Sequence, residues 1–125
     1  ARLDDGGGAI VNTSSIAGIV GFPGVSPYVA SKHGVIGLTK NAALEYGREG
    51  VRVNAISPGV IRTPMVERSS AENPEMVEGV SEATPIGRIG EPEEIGDAAV
   101  WLCSGDASFI TGAPISVDGG HVADL

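Results

Sequence analysis

Ala9-Ile10-Val11-Asn12-Thr13-Ser14-Ser15 is a short, mostly apolar run that turns polar at its end. It follows three glycines, and the absence of apolar/polar alternation fits an inner strand of a parallel sheet better than a half-wet antiparallel one. A loop containing Gly18, Gly21 and Phe22-Pro23-Gly24 leads from it to a helix expected over 27–47. Ser26 is the candidate N-cap and Pro27 occupies the first helical position, where its missing N–H has no partner to lose. Gly47 and Gly50 end that helix, whose packing positions are Val35, Leu38, Thr39, Ala42, Ala43 and Tyr46. Residues 51–57, Val-Arg-Val-Asn-Ala-Ile-Ser, then read as a second strand with a sharp exit at Pro58-Gly59.

Residues 60–90 lack a strong core pattern, with short helical pieces near Met65–Arg68 and Glu75–Glu82 separated by prolines, the character of a lid or binding loop. A third helix starts near Pro92, with Glu93 and Glu94 in its acid-favouring first turn and Ile95, Ala98, Ala99 and Leu102 as its buried face. Ala113–Val117 is the last strand, closed by Asp118-Gly119-Gly120. Strand, helix, strand, excursion, helix, strand is βαβ logic, so the expected fold is α/β: a partial, Rossmann-like, doubly wound parallel sheet of three strands with flanking helices. Three strands leave the first with an open apolar edge, and the chain starts almost directly on that strand. Either a partner covers that edge, or 1–125 is the carboxyl-terminal half of one larger doubly wound domain.

Composition narrows the function. The 125 residues suit one compact unit, not a cofactor domain plus a substrate domain. Sixteen acidic against eight basic side chains give a net charge of -8, and aromatics are 4%, so a phosphate-tracking or base-stacking surface is not expected and nucleic acid is not the partner. No run is apolar enough to span a membrane, and the polar start has no signal-peptide core, which points to a cytoplasmic protein. Cys103, alone in an apolar run, is expected to be buried. Arg52, Arg62 and Arg88 are expected to pair with acidic groups. His33 and His121 are isolated and suit no metal site.

The sharpest constellation is Ser15 at a strand end, Tyr28 thirteen residues later in the first turn of the helix, and Lys32 one turn on. Positions four apart share a helix face, and a cation beside a phenol favours its deprotonated form. Tyr28 is thus the candidate acid-base group, with Ser15 a neutral donor to a substrate oxygen on which charge develops. Pro58-Gly59 opens backbone groups at the carboxyl edge, where open α/β sheets bind ligands, and Thr63 can cap the helix that follows. A hydrolase built on Ser15 is the rival enzyme reading, but no motif ties His33 or His121 to that serine.

Four segments in order, Asn12-Thr13-Ser14-Ser15-Ile16-Ala17-Gly18, Tyr28-Val29-Ala30-Ser31-Lys32, Asn54-Ala55-Ile56-Ser57-Pro58-Gly59 and Val117-Asp118-Gly119-Gly120, resemble the carboxyl-terminal half of a short-chain dehydrogenase/reductase. The resemblance implies an NAD- or NADP-dependent oxidoreductase acting on a secondary alcohol or ketone. It implies that Ser15, Tyr28 and Lys32 are catalytic, with Ser15 orienting substrate and Tyr28 the acid-base, and that Tyr28 and Lys32 also contact the cofactor, Lys32 at the nicotinamide ribose. It also implies that Pro58, Gly59 and the Ile61 backbone wall in the carboxamide with Thr63 assisting, that 60–90 is the substrate loop, and that the protein is a homodimer or homotetramer. The phosphate-binding glycine loop and the residue that selects between NAD and NADP have no counterpart in these 125 residues. A carrier-protein-bound 3-oxoacyl group or a sugar is the alternative substrate, and a non-catalytic structural or oligomerisation half-domain is the alternative role.

Overall fold

The structure, a computed structural model, describes residues 7–124; the polar start of the chain, 1–6, lies outside them. Strand β1 (Gly8–Thr13), helix α1 (Ser26–Tyr46), strand β2 (Val51–Pro58), helices α2 (Pro64–Glu72), α3 (Pro74–Ala83) and α4 (Pro92–Cys103), and strand β3 (Pro114–Val117) follow in that order. The three strands form one parallel sheet in the order β1-β2-β3, with Gly8 opposite Val51 through Thr13 opposite Ile56, and Ala55 opposite Pro114 through Pro58 opposite Val117. Parallel neighbours require long crossovers. Here α1 supplies the first, and the 60–90 excursion with α4 supplies the second.

Strand β2 carries the core because it has a neighbour on each side and helices on both faces. Val51, Val53, Asn54, Ala55, Ile56 and Ser57 are all buried. Alternation divides them: Val51 and Val53 meet Ala43 of α1, whereas Arg52 and Asn54 point the other way. The Arg52 guanidinium donates to the carbonyls of Leu102 (2.8 Å), Ser104 (3.1 Å) and Ile110 (3.3 Å). Asn54 donates to the Ile110 carbonyl and accepts from Ala113 N–H, both at 3.0 Å. These bonds help satisfy the carbonyl end of α4 and the segment entering β3.

β1 lies at the edge of this three-stranded sheet, the open apolar edge expected of the first strand, and Ile10 is exposed there. Other expectations are corrected. Ser26 is the first residue of α1 and not its cap; the cap position is Val25, which offers no side-chain bond. The buried stripe of α1 is Ile36, Thr39 and Ala43, so Leu38, at 64% exposure, and Tyr46 point outward. Leu38 lies between the stripe positions, and one residue is a rotation of about 100° around a helix. The same rotation exposes Cys103 although its neighbour Leu102 is fully buried. Arg52 binds carbonyls instead of an acid, whereas Arg62 and Arg88 pair with Glu91 and Glu94.

Candidate active site

The end of β1 and the start of α1 are stitched together by side chains. Asn12 Nδ2 donates to Thr39 Oγ1 at 3.0 Å, and the buried Ser14 hydroxyl donates to the Lys32 carbonyl at 2.9 Å. Ser14 N–H still bonds Ile56 of β2 (2.7 Å), so Ser15 leaves the sheet where β2 is also ending. Ser15 adopts an extended backbone and caps a short 3-10 turn over Ile16–Gly18, its hydroxyl oxygen accepting from Ala17 N–H at 3.1 Å. That oxygen is used as an acceptor, which leaves the hydroxyl proton available to donate. Gly18 permits the turn to lie against α1. A Cβ there would sit 2.8 Å from the Lys32 carbonyl oxygen and would overlap Ser14 Oγ.

Tyr28 and Lys32 meet as the spacing predicts. The Lys32 ammonium lies 5.6 Å from the centre of the Tyr28 ring and 3.5 Å from the Thr13 carbonyl at the end of β1. An ammonium has three donors, so this one is only partly engaged. Tyr28 is 48% exposed, which leaves the ring reachable by a ligand. His33, next to Lys32, faces elsewhere, with Nδ1 3.0 Å from the Val29 carbonyl.

Pro58 ends β2, and Gly59 crosses close to β3: its N–H donates to the Val117 carbonyl at 3.1 Å, and a Cβ on it would lie 2.9 Å from Asp118 Cβ. Ile61 then forms a parallel bridge with Gly90. The two bridge bonds use Arg62 N–H and the Val60 carbonyl, so Ile61's own N–H is turned away from Gly90. Thr63 caps α2 as expected, Oγ1 accepting from Val66 N–H at 3.2 Å. A cavity of about 300 Å³ lies beside this segment, lined by Val60, Ile61, Thr84, Ile86, Val117 and Gly119. None of Ser15, Tyr28 and Lys32 lines it, so the chemically equipped surface is the sheet-end cleft and not this cavity.

Ser14 and Gly18 were not singled out for this site in the sequence, although Ser14 precedes the candidate Ser15 and Gly18 closes the same segment. Only the fold brings both against Lys32. Among the described residues there is no His, Cys, Asp and Glu cluster suited to a metal, and no helix is long and apolar enough to cross a membrane.

Comparison with known proteins agrees with this architecture. A family profile described as "Enoyl-(Acyl carrier protein) reductase" matches residues 1–122. The A-factor type gamma-butyrolactone 1'-reductase of Streptomyces virginiae is 56% identical over 114 residues, which are 91% of this chain and 44% of that protein. The cyclohexanol dehydrogenase of an Acinetobacter species is 51% identical over 123 residues, 98% of this chain and 47% of that protein. The crystal structure of levodione reductase superposes with a TM-score of 0.90 at 44% identity, covering 98% of this chain and 50% of the other. ElxO with NADP bound gives a TM-score of 0.90 at 36% identity over 97% of this chain and 49% of the other. The chain belongs to the short-chain dehydrogenase/reductase family. It spans about half the length of the curated relatives it matches.

Proposed function

We propose that the chain is the carboxyl-terminal half of one Rossmann-like NAD(P)-binding domain, and that the complete domain transfers hydride between a nicotinamide cofactor and a secondary alcohol or its ketone. The observation that carries this reading is the Lys32 ammonium over the Tyr28 ring and against the Thr13 carbonyl at the end of β1, the strand from which Ser15 leaves the sheet. The residues present fit the nicotinamide end of such a cofactor. Lys32 has donors to spare for the ribose hydroxyls, Pro58 and Gly59 stand where β2 ends, and the outward Ile61 N–H suits the carboxamide, with Thr63 two residues on. Either NAD or NADP suits these groups, and structural relatives hold NADP, NADPH or NADH.

When bound, the nicotinamide supplies or accepts the hydride. In the reducing direction the Ser15 hydroxyl donates a hydrogen bond to the substrate oxygen and Tyr28 gives that oxygen its proton. The positive charge of Lys32 stabilises the negative charge left on the Tyr28 oxygen. Oxidation runs the same proton back to Tyr28.

Segment 60–90 is the substrate loop in this reading, and its apolar positions, Val60, Ile61, Met65, Val66, Val77, Val80 and Ile86, favour a neutral, cyclic substrate. Relatives named for cyclohexanol, levodione and a chlorinated cyclohexadienediol support that class. The exposed Leu38 and Leu44 of α1 and Val100 and Trp101 of α4 support assembly into a homodimer or homotetramer. The test is a panel of cyclic alcohols, sugars and acyl thioesters scored by turnover efficiency with NAD and NADP on the complete domain. Preference for neutral cyclic alcohols and ketones is expected; preference for an anionic acyl thioester would overturn the substrate class.

A further inference from the structure

The excursion between β2 and α4 joins the fold through a narrow neck. α2 and α3 make their main packing contact with each other, and neither contains a buried residue. At the neck the outgoing and returning strands of chain lie side by side: Arg62 N–H donates to the Gly90 carbonyl at 2.8 Å, and Gly90 N–H donates to the Val60 carbonyl at 2.9 Å. Gly90 packs closely on Ile61: a Cβ there would lie 2.7 Å from Ile61 Cδ1, which would have to shift.

Two ion pairs flank this bridge. Arg62 Nε donates to Glu91 Oε1 at 2.9 Å. Arg88 forks onto both carboxylate oxygens of Glu94 at 2.7 and 3.0 Å, and Glu94 Oε1 also accepts from Glu91 N–H at 2.9 Å. The four charged residues form a connected chain from the outgoing side of the neck to the first turn of α4. A lone exposed ion pair contributes little, but a bidentate pair within a network adds to the other anchors of the returning chain, the buried Thr84 and the Ile86 N–H that donates to the Gly119 carbonyl at 3.2 Å.

We propose that Arg62 with Glu91 and Arg88 with Glu94 form a latch that holds the α2–α3 flap, making Arg62 a positioning residue for its neighbours Ile61 and Thr63. Opening the latch frees the flap while the sheet stays intact. It also loosens the Ile61 and Thr63 groups assigned to the cofactor side of the cleft. The latch itself is independent of the assigned reaction; only its effect on substrate binding rests on the proposed function.

Hydrogen exchange on the complete domain tests it. Arg62→Glu and Glu91→Arg, each alone, are expected to speed exchange of the flap amides in 64–83 about 3-fold, the scale of one exposed ion pair, with β2 amides unchanged. The double variant Arg62→Glu/Glu91→Arg restores the original rates. Unchanged flap exchange in the single variants, or no recovery in the double, overturns the latch. Should a charge reversal fail to fold, Arg62→Gln and a salt titration of the parent domain give the same reading: flap exchange rises with salt and β2 exchange does not. In the complete domain the single variants raise KM with kcat nearly unchanged; a fall in kcat at constant KM overturns the positioning role. Absence of turnover by the unsubstituted complete domain, with the flap still responding, would instead sink the oxidoreductase reading and leave the latch standing.

Discussion

The buried Ser14 hydroxyl donates to the carbonyl of Lys32, eighteen residues away, at 2.9 Å. This single bond ties the end of β1, where Ser15 begins, to the turn of α1 that carries Lys32. Replacing Ser14 with Ala leaves the carbonyl without this partner and is expected to lower stability by about 1 kcal/mol. Urea unfolding of the chain measures it. A variant as stable as the parent would show that the bond does not hold the two elements together.

Gly18 packs against the same carbonyl, beside Ser14. Gly18→Ala forces a methyl group to within 2.8 Å of backbone oxygen that is fixed inside a helix. The expected loss is about 1–3 kcal/mol, read as a lower thermal midpoint. Gly21, which has open space around it, is the control, and Gly21→Ala leaves the midpoint nearly unchanged.

Arg52 and Asn54 supply the polar cross-link between β2 and the segment after α4. Arg52→Met keeps much of the side-chain bulk but removes donors to the carbonyls of Leu102, Ser104 and Ile110. A destabilisation of about 2 kcal/mol is expected, with hydrogen exchange of the α4 amides rising first. Equal protection of α4 in the variant would contradict this role for Arg52.

Much of this layout is legible in the sequence because the signals are local. Pro27, Pro64 and Pro92 mark helix starts, and the alternation of Val51, Val53 and Ala55 with Arg52 and Asn54, ended by Pro58-Gly59, announces the strand β2, though not that both of its faces are covered. The Tyr28 to Lys32 spacing fixes a shared helix face before any coordinates. Contacts between distant segments leave no such mark. The Ser14 to Lys32 carbonyl bond, the Gly18 approach and the Arg52 bonds each join residues whose pairing depends on the finished fold. The exposed Leu38 and Cys103 show the other limit: an apolar residue type specifies which side chains can be buried, but the helix rotation decides which are.

The Arg88–Glu94 pair predicts a pH dependence. The hydrogen bonds from the Arg88 guanidinium and then from Glu91 N–H hold the Glu94 carboxyl down at about 2, below its usual 4.5. A carboxyl lowered on folding stabilises the native state fully above its unfolded value, and that contribution disappears as pH falls through the folded value. The stability difference between the parent and Glu94→Gln is therefore expected to be constant above about pH 5 and to shrink as pH falls toward 2. Urea midpoints at pH 6, 4 and 2.5 measure it. A difference that grew on acidification would reverse the assigned sign.

The most direct measurement is hydride transfer by the complete domain carrying Tyr28→Phe, followed by nicotinamide absorbance alongside cofactor binding. The substitution removes only the phenolic oxygen from a half-exposed ring, so folding and cofactor affinity are expected to stay near those of the parent. Turnover is expected to fall by about 100- to 10,000-fold, the usual contribution of a positioned acid-base group. Parent-level turnover by Tyr28→Phe near neutral pH would contradict the assignment of the proton to Tyr28.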